Sequence, residues 1–115
     1  MTPDRVRAIC LKMPHATEQV QWVDDLTFKI GGKMFAVIRL EGTGPNAVAF
    51  KCTPEDFALL TEREGIVPAP YLARAHWVAL KEFDVLSATE LARRLRESYD
   101  LVLAGLPRKL RDGLR

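Results

Sequence analysis

Two consecutive glycines, Gly31 and Gly32, constrain the fold more than any other feature of this chain. They separate two segments of alternating character, residues 26–30 and 33–40. Because glycine readily takes positive φ at both central positions of a two-residue turn, this pattern predicts a β-hairpin. Strands joined by so short a turn are antiparallel. Three further segments extend the prediction to an antiparallel sheet of about five strands: residues 17–23, 47–52 and 76–81.

Three other segments carry the signals with which helices begin. Thr2 and Thr53 are each followed by proline and an acid, and Ser87 with Glu90 forms a capping box. We therefore expect helices over residues 3–13, 54–63 and 88–104. Antiparallel sheets commonly bury one face under helices. The expected fold class is α+β, with the sheet packed on one face by the N-terminal, middle and C-terminal helices.

The length of the chain indicates one globular domain over residues 1–115, because 115 residues can bury one core but not two. A formal net charge of only +2 gives no nucleic-acid signal by itself. Residues 106–115 form a basic C-terminal end.

No apolar run approaches the ~20 residues of a membrane helix, and the N-terminus lacks a signal-peptide pattern. We therefore expect a cytoplasmic protein that does not bind membranes.

Few side chains suggest catalysis or metal binding. Cys10 and Cys52 lie in apolar surroundings without a redox or metal-binding spacing. His76 falls among core positions, where a lone histidine is more often a hydrogen-bonded core residue than a base or ligand. The adjacent acids Asp24 and Asp25 fit a turn between strands better than a metal site. We expect neither an enzyme nor a cofactor.

Alternation along the strands sorts their side chains into two faces. One face is apolar and is expected to lie against the helices. Its members are Val20, Trp22, Phe28, Ile30, Met34, Ala36, Ile38, Leu40, Val48, Phe50, Cys52, His76, Val78 and Leu80.

The opposite face collects cations and two aromatic rings, and it is expected to be open. Cations can meet phosphates and exposed rings can stack bases, so this composition favours single-stranded nucleic acid. The expected interface residues are Lys29, Lys33, Phe35, Arg39, Lys51, Arg74, Trp77 and Lys81. The alternative interpretation is that the lysines only keep a half-exposed sheet in solution while their stems cover the rings.

Four short segments resemble the MmcQ/YjbR family: residues 14–18, 28–36, 50–55 and, most distinctively, 68–78 with the sequence PAPYLARAHWV. The resemblance spans nearly the whole chain. It implies an α+β fold similar to the frataxin-like (CyaY) fold and a DNA-binding role, without an active site. Iron handling is not expected, because Arg5, Arg7 and Lys12 outnumber Asp4 in the first helix and cations repel a metal ion.

Two functions follow as expectations. The first is non-enzymatic nucleic-acid binding through the basic sheet face, with DNA or a single strand as the partner. The alternative is a domain that binds or sequesters small molecules. Its pocket would form where residues 66–75 cross the sheet near Tyr71 and Trp77. The oligomeric state is left open.

Overall fold

The computed structural model describes residues 1–21, 24–40 and 46–114. Its helices are α1 (Pro3–Leu11), α2 (Pro54–Leu60), α3 (Ala88–Ala104) and α4 (Arg108–Gly113), with a 3₁₀ turn at Ala73–Ala75. Its strands are β1 (Thr17–Gln21), β2 (Asp25–Ile30), β3 (Lys33–Arg39), β4 (Val48–Lys51), β5 (Ile66–Pro68) and β6 (Trp77–Leu80). The six strands form one antiparallel sheet in the order β1-β2-β3-β4-β6-β5. The predicted α+β class is confirmed.

Some predictions fall outside the described residues. They concern Trp22 as a core residue, the end of the first strand at Val23, most of the loop at residues 41–46, and Arg115 in the basic end.

The three helix starts are as predicted. The hydroxyl of Thr2 accepts from Arg5 N at 3.2 Å, and the hydroxyl of Thr53 accepts from Asp56 N at 3.1 Å. The hydroxyl of Ser87 accepts from Glu90 N at 3.1 Å. Each bond satisfies an N–H that the first helical turn would leave unpaired. None of the helices in the described residues is long and apolar enough to cross a membrane.

Two elements differ from the expectation. β5 was not predicted because its proline lowers strand propensity, but Pro68 lies on the edge strand and pairs with Val78, where a missing N–H is tolerated. α4 forms where only a basic C-terminal end was expected. Leu106 and Leu110 anchor it over the hairpin, close enough that a Cβ on Gly31 would lie 2.7 Å from Leu106 Cδ1.

A β-bulge in β3 reverses the predicted orientation of its first residues. Phe28 faces Ala36 but Lys29 faces Met34, so Phe35 is an extra residue in β3. Both Phe35 and Ala36 lie in the core on the helix side, with Phe35 0% exposed, and Met34 turns to the opposite face. The prediction of Phe35 on an open face is therefore wrong, because one inserted residue shifts strand parity.

A buried serine of α3 completes the hydrogen bonding at this bulge. The ladder between β3 and β4 runs only as far as the pair of Ala36 and Phe50. Beyond it, the hydroxyl of Ser98 donates to the carbonyl of Phe35 and accepts from Lys51 N at 2.9 Å. Ser98 thus pairs two backbone groups that the bulge separates from each other.

Most of the predicted core face is buried under the helices. The confirmed members are Phe28, Ile30, Ala36, Ile38, Val48, Phe50, Cys52, Val78 and Leu80. Val20 and Leu40 were expected there but are 56% and 47% exposed. Val20 lies on the edge strand β1 and Leu40 follows the end of β3, so both lie at the margin of the sheet. His76 is half-buried just before β6, with its ring edge-on to Phe57.

Candidate functional site

The sheet face away from the core is partly covered, not open. Trp77 is only 4% exposed, and it packs with Ala69 and Ala79 in a second apolar cluster. The partly buried side chains around these three are Met34, Val37, Ala49, Val67 and Leu72. The prediction of an exposed Trp77 is therefore wrong, because the segment preceding β6 folds back over this face.

That segment, residues 69–76, is called the strap below. Its backbone is tied to the start of β6, where Ala69 N donates to Trp77 O at 3.0 Å and Trp77 N donates to Leu72 O at 3.3 Å. Lys51 Nζ donates to the carbonyl of Ala75, which fastens the strap to β4. These bonds hold the strap against the sheet.

The strap contains two residues in the left-handed region. Tyr71 has a φ of +65° and His76 a φ of +63°. This conformation costs a residue with a Cβ about 1–2 kcal/mol. Strain of this kind persists where the surrounding contacts fix the backbone, and it is concentrated at functional sites in proteins.

A cleft of about 380 Å³ lies between the strap and the sheet. Its volume falls within the range of small-molecule sites, roughly 300–1,000 Å³. The space exists because the side chains around it are small: Ala47, Ala49, Ala69 and Ala79. Val37 adds a branched apolar surface to the floor, and Pro70, Tyr71 and Leu72 of the strap form the opposite wall.

One end of the cleft is charged. Asp25 and Arg39 occupy facing positions on β2 and β3, and both line the cleft. Arg39 Nε donates to Asn46 O at 3.2 Å, which draws the guanidinium toward the start of β4. Within the described residues Asp25 and Arg39 form no ion pair with each other. Among those residues the Asp25 carboxylate and the terminal nitrogens of Arg39 have no hydrogen-bond partner.

A large aromatic side chain stands at the mouth of the cleft. Tyr71 is fully exposed although it belongs to the cleft wall. Its ring offers an apolar surface beside an apolar cavity, which is the position from which an aromatic side chain can cover a bound ligand.

The fold and this cleft lie within a known family. The family model for YjbR matches residues 11–101, which include the strap and the residues lining the cleft. The chain belongs to the YjbR family.

Two solved structures resemble this YjbR domain. The Deinococcus radiodurans protein DR2400, which carries a DUF419 domain, is 30% identical. The match covers 98% of this chain and 87% of that one, with a TM-score of 0.84. A protein from Pseudomonas syringae is 22% identical over 88% of this chain and 98% of its own, with a TM-score of 0.69, and shows the fold alone. No functionally curated protein matches the chain. The expected likeness to the frataxin-like fold stays a prediction.

The cations predicted to form one basic surface on the YjbR domain have different environments. Lys29 Nζ donates to Gln19 Oε1 at 2.9 Å, and Lys51 holds the strap. Arg39 lies at the charged end of the cleft. The remaining three are exposed, Lys33 at the hairpin, Arg74 in the 3₁₀ turn and Lys81 after β6. With Phe35 in the core and Trp77 under the strap, this face offers neither predicted ring for base stacking.

A second, smaller groove of about 230 Å³ lies between α2 and α3. Cys52 lines it, but burial raises the pKa of its thiol to about 11, so the thiol is protonated at neutral pH. Two of the neighbouring carboxylates, Asp56 and Glu97, pair with Arg94 at 2.8 and 3.1 Å. Throughout the described ranges no three histidine, cysteine or acidic side chains are grouped to hold a metal ion. This groove carries no evident chemistry.

Sequence reasoning anticipated where a pocket could form but not which residues create it. By strand alternation Ala47, Ala49 and Ala79 fall on the same face as the cations, but the expected pocket did not include them. The available signal was their small size at neighbouring positions, since Ala49 faces Ala79 across β4 and β6. Alanines at neighbouring positions of a sheet face leave a cavity that larger side chains would fill.

Proposed function

We propose that this YjbR domain binds or sequesters a small, largely apolar molecule in the cleft, without catalysing a reaction. The observation that carries the proposal is the cleft itself: a cavity of about 380 Å³ with an alanine floor and a strained wall, and with two charged side chains at one end that form no ion pair with each other within the described residues. Ligand sites combine a mainly apolar lining with a few polar groups that orient the ligand. A non-enzymatic role fits the side chains around it, since none of them is a nucleophile paired with a base.

Filling the cleft floor tests the proposal. A panel of small aromatic and alicyclic compounds is titrated into ¹⁵N-labelled protein, and binding is read from the amide shifts of Ala49 and Ala79. Replacing Ala49 by Leu puts a larger side chain into the half-buried floor and is expected to weaken binding at least tenfold. Ala58→Leu makes the same change on the exposed side of α2 and serves as the matched control.

Two outcomes would contradict the proposal. One is a panel in which no compound shifts the amides of the cleft. The other is an Ala49→Leu variant that is folded, by its far-ultraviolet circular dichroism, and binds as tightly as Ala58→Leu. A variant with Trp22 replaced by Phe leaves Trp77 as the sole tryptophan, so that fluorescence reports independently on the covered face.

A second candidate function is nucleic-acid binding through cations alone. The observation that favours it is the position of α4, whose anchors Leu106 and Leu110 lie on the hairpin turn beside Lys33. Arg108 and Lys109 are exposed on this helix, and we infer that they lie at the same end of the domain as the exposed Lys33. DNA or single-stranded nucleic acid would be the partner in the cytoplasm, held by its phosphates without base stacking.

Salt dependence tests this second candidate. If three phosphates are neutralised, the slope of log affinity against log salt is about −2.7 for duplex DNA, at −0.9 per contact. Replacing Lys33, Arg108 and Lys109 by Ala together is expected to remove most of that slope. Affinity and slope unchanged in the triple variant would exclude the surface, and the cleft variants provide a control because they leave these cations in place.

A further inference from the structure

The charged end of the cleft indicates which class of small molecule it accepts, an inference that rests on the proposed function. Asp25 and Arg39 are directly opposed in the register of β2 and β3. Side chains at facing positions have Cβ atoms about 4.5–5.5 Å apart, a separation at which opposite charges ordinarily pair. Within the described residues these two side chains do not form an ion pair with each other.

The reason lies in the hydrogen bond of Arg39. Its Nε donates to the carbonyl of Asn46, just before β4, at 3.2 Å, so one nitrogen of the guanidinium is bonded to a group other than Asp25. Among the described residues, the two terminal nitrogens of the guanidinium and the carboxylate oxygens of Asp25 have no hydrogen-bond partner, and both side chains are half-buried. Half-buried charges gain most from a partner that satisfies their hydrogen bonds.

We propose that the cleft binds a small zwitterion with an apolar body, the chemistry of an aromatic α-amino acid. Arg39 binds the carboxylate and Asp25 binds the ammonium group. The apolar body lies over Ala49 and Ala79 beneath Tyr71. A purely anionic ligand would meet repulsion from Asp25, and a purely cationic one would meet repulsion from Arg39. Only a ligand carrying both signs satisfies both groups.

Three compounds with the same phenyl body test the assignment on the unaltered protein. They are L-phenylalanine, 3-phenylpropanoate, which lacks the ammonium group, and 2-phenylethylamine, which lacks the carboxylate. Each is titrated while the amide shifts of the cleft are followed. L-Phenylalanine is expected to bind at least tenfold more tightly than either of the other two, since each loses one charge-assisted contact.

Two variants assign the contacts to their residues. Arg39→Gln is expected to abolish the preference for L-phenylalanine over 2-phenylethylamine, and Asp25→Asn its preference over 3-phenylpropanoate. Arg5→Gln and Asp4→Asn remove equivalent charges from the exposed surface of α1 and are expected to change neither preference.

The inference is overturned if 3-phenylpropanoate or 2-phenylethylamine binds as tightly as L-phenylalanine, or if Asp25→Asn strengthens the binding of L-phenylalanine. It is also overturned if none of the three compounds shifts the cleft amides. In each case the proposed function is judged separately, because uncharged members of the compound panel can still shift Ala49 and Ala79.

Discussion

The hydroxyl of Ser98 offers the sharpest test of how this fold is held together. Ser98 is 0% exposed and is the link between α3 and the bulge of β3. Ser98→Ala removes the hydrogen bonds to the carbonyl of Phe35 and the N–H of Lys51 in one step. A buried backbone group left without a partner costs about 1–3 kcal/mol.

The expected loss of unfolding free energy in Ser98→Ala is smaller than the cost of leaving two fully buried backbone groups without a hydrogen bond. Lys51 is half-buried, so water can reach part of its surroundings, whereas Phe35 lies wholly in the core. We expect Ser98→Ala to lower the free energy of unfolding by about 2–4 kcal/mol. At roughly 4 °C for each kcal/mol in a domain of this size, the Tm falls by roughly 8–16 °C.

Urea unfolding followed by circular dichroism measures this loss, and Ser87→Ala supplies the control. The same substitution there removes a single N-cap hydrogen bond at an exposed helix end, at a cost of about 1 kcal/mol. Amide exchange adds a local readout, because Lys51 N–H should lose protection selectively in Ser98→Ala. If Ser98→Ala is no more destabilising than Ser87→Ala, the bulge does not depend on this serine.

Two further predictions concern the hairpin turn and the buried thiol of Cys52. Gly31→Ala should lower the free energy of unfolding, measured by chemical denaturation, more than Gly32→Ala does. Both positions have positive φ, of +59° and +81°. Only a Cβ at residue 31 would contact Leu106, at 2.7 Å, whereas a Cβ at residue 32 would meet nothing within 4 Å. Equal losses would show that α4 does not rest on the turn. For Cys52, burial raises the thiol pKa from 9.0 to about 11, so above pH 9 the unfolded chain loses this proton before the folded one does. The free energy of unfolding should therefore decrease as pH rises from 9 toward 11, and Cys52→Ala should reduce this decrease; an identical pH profile in the variant would contradict the shift.

The candidate site could be predicted only in part, for a reason visible in Phe35. Alternation predicts a face correctly as long as a strand is regular, which holds for Phe28, Ile30, Val48 and Phe50. The bulge adds one residue to β3 and exchanges the faces of Met34 and Phe35. Nothing local to β3 signals the bulge, since the hydroxyl that completes it is 63 residues away in the sequence.

Trp77 shows that the exposure of a side chain on the opposite sheet face could not be predicted from the sequence either. Its position on the sheet face was predicted correctly, but its exposure depends on what lies above it. The strap that covers it carries one proline, Pro70, and no strong local signal for its path. The cleft arises only because the strap is fastened to β4 by Lys51 and to β6 by backbone bonds. One cation expected to contact phosphate thus has a structural role.

By itself the sequence determined the features that depend on neighbours along the chain. Hydroxyls at the N-caps start the three predicted helices, Gly31 and Gly32 make the hairpin, and alternating side chains make antiparallel strands. Tertiary structure alone decided which way Phe35 points and whether Trp77 meets solvent. It also decided that Asp25 and Arg39, within the described residues, share the end of a cleft without pairing with each other. The physical reason is that local propensity acts within a few residues. Parity, burial and charge pairing, by contrast, depend on contacts that only the folded chain brings together.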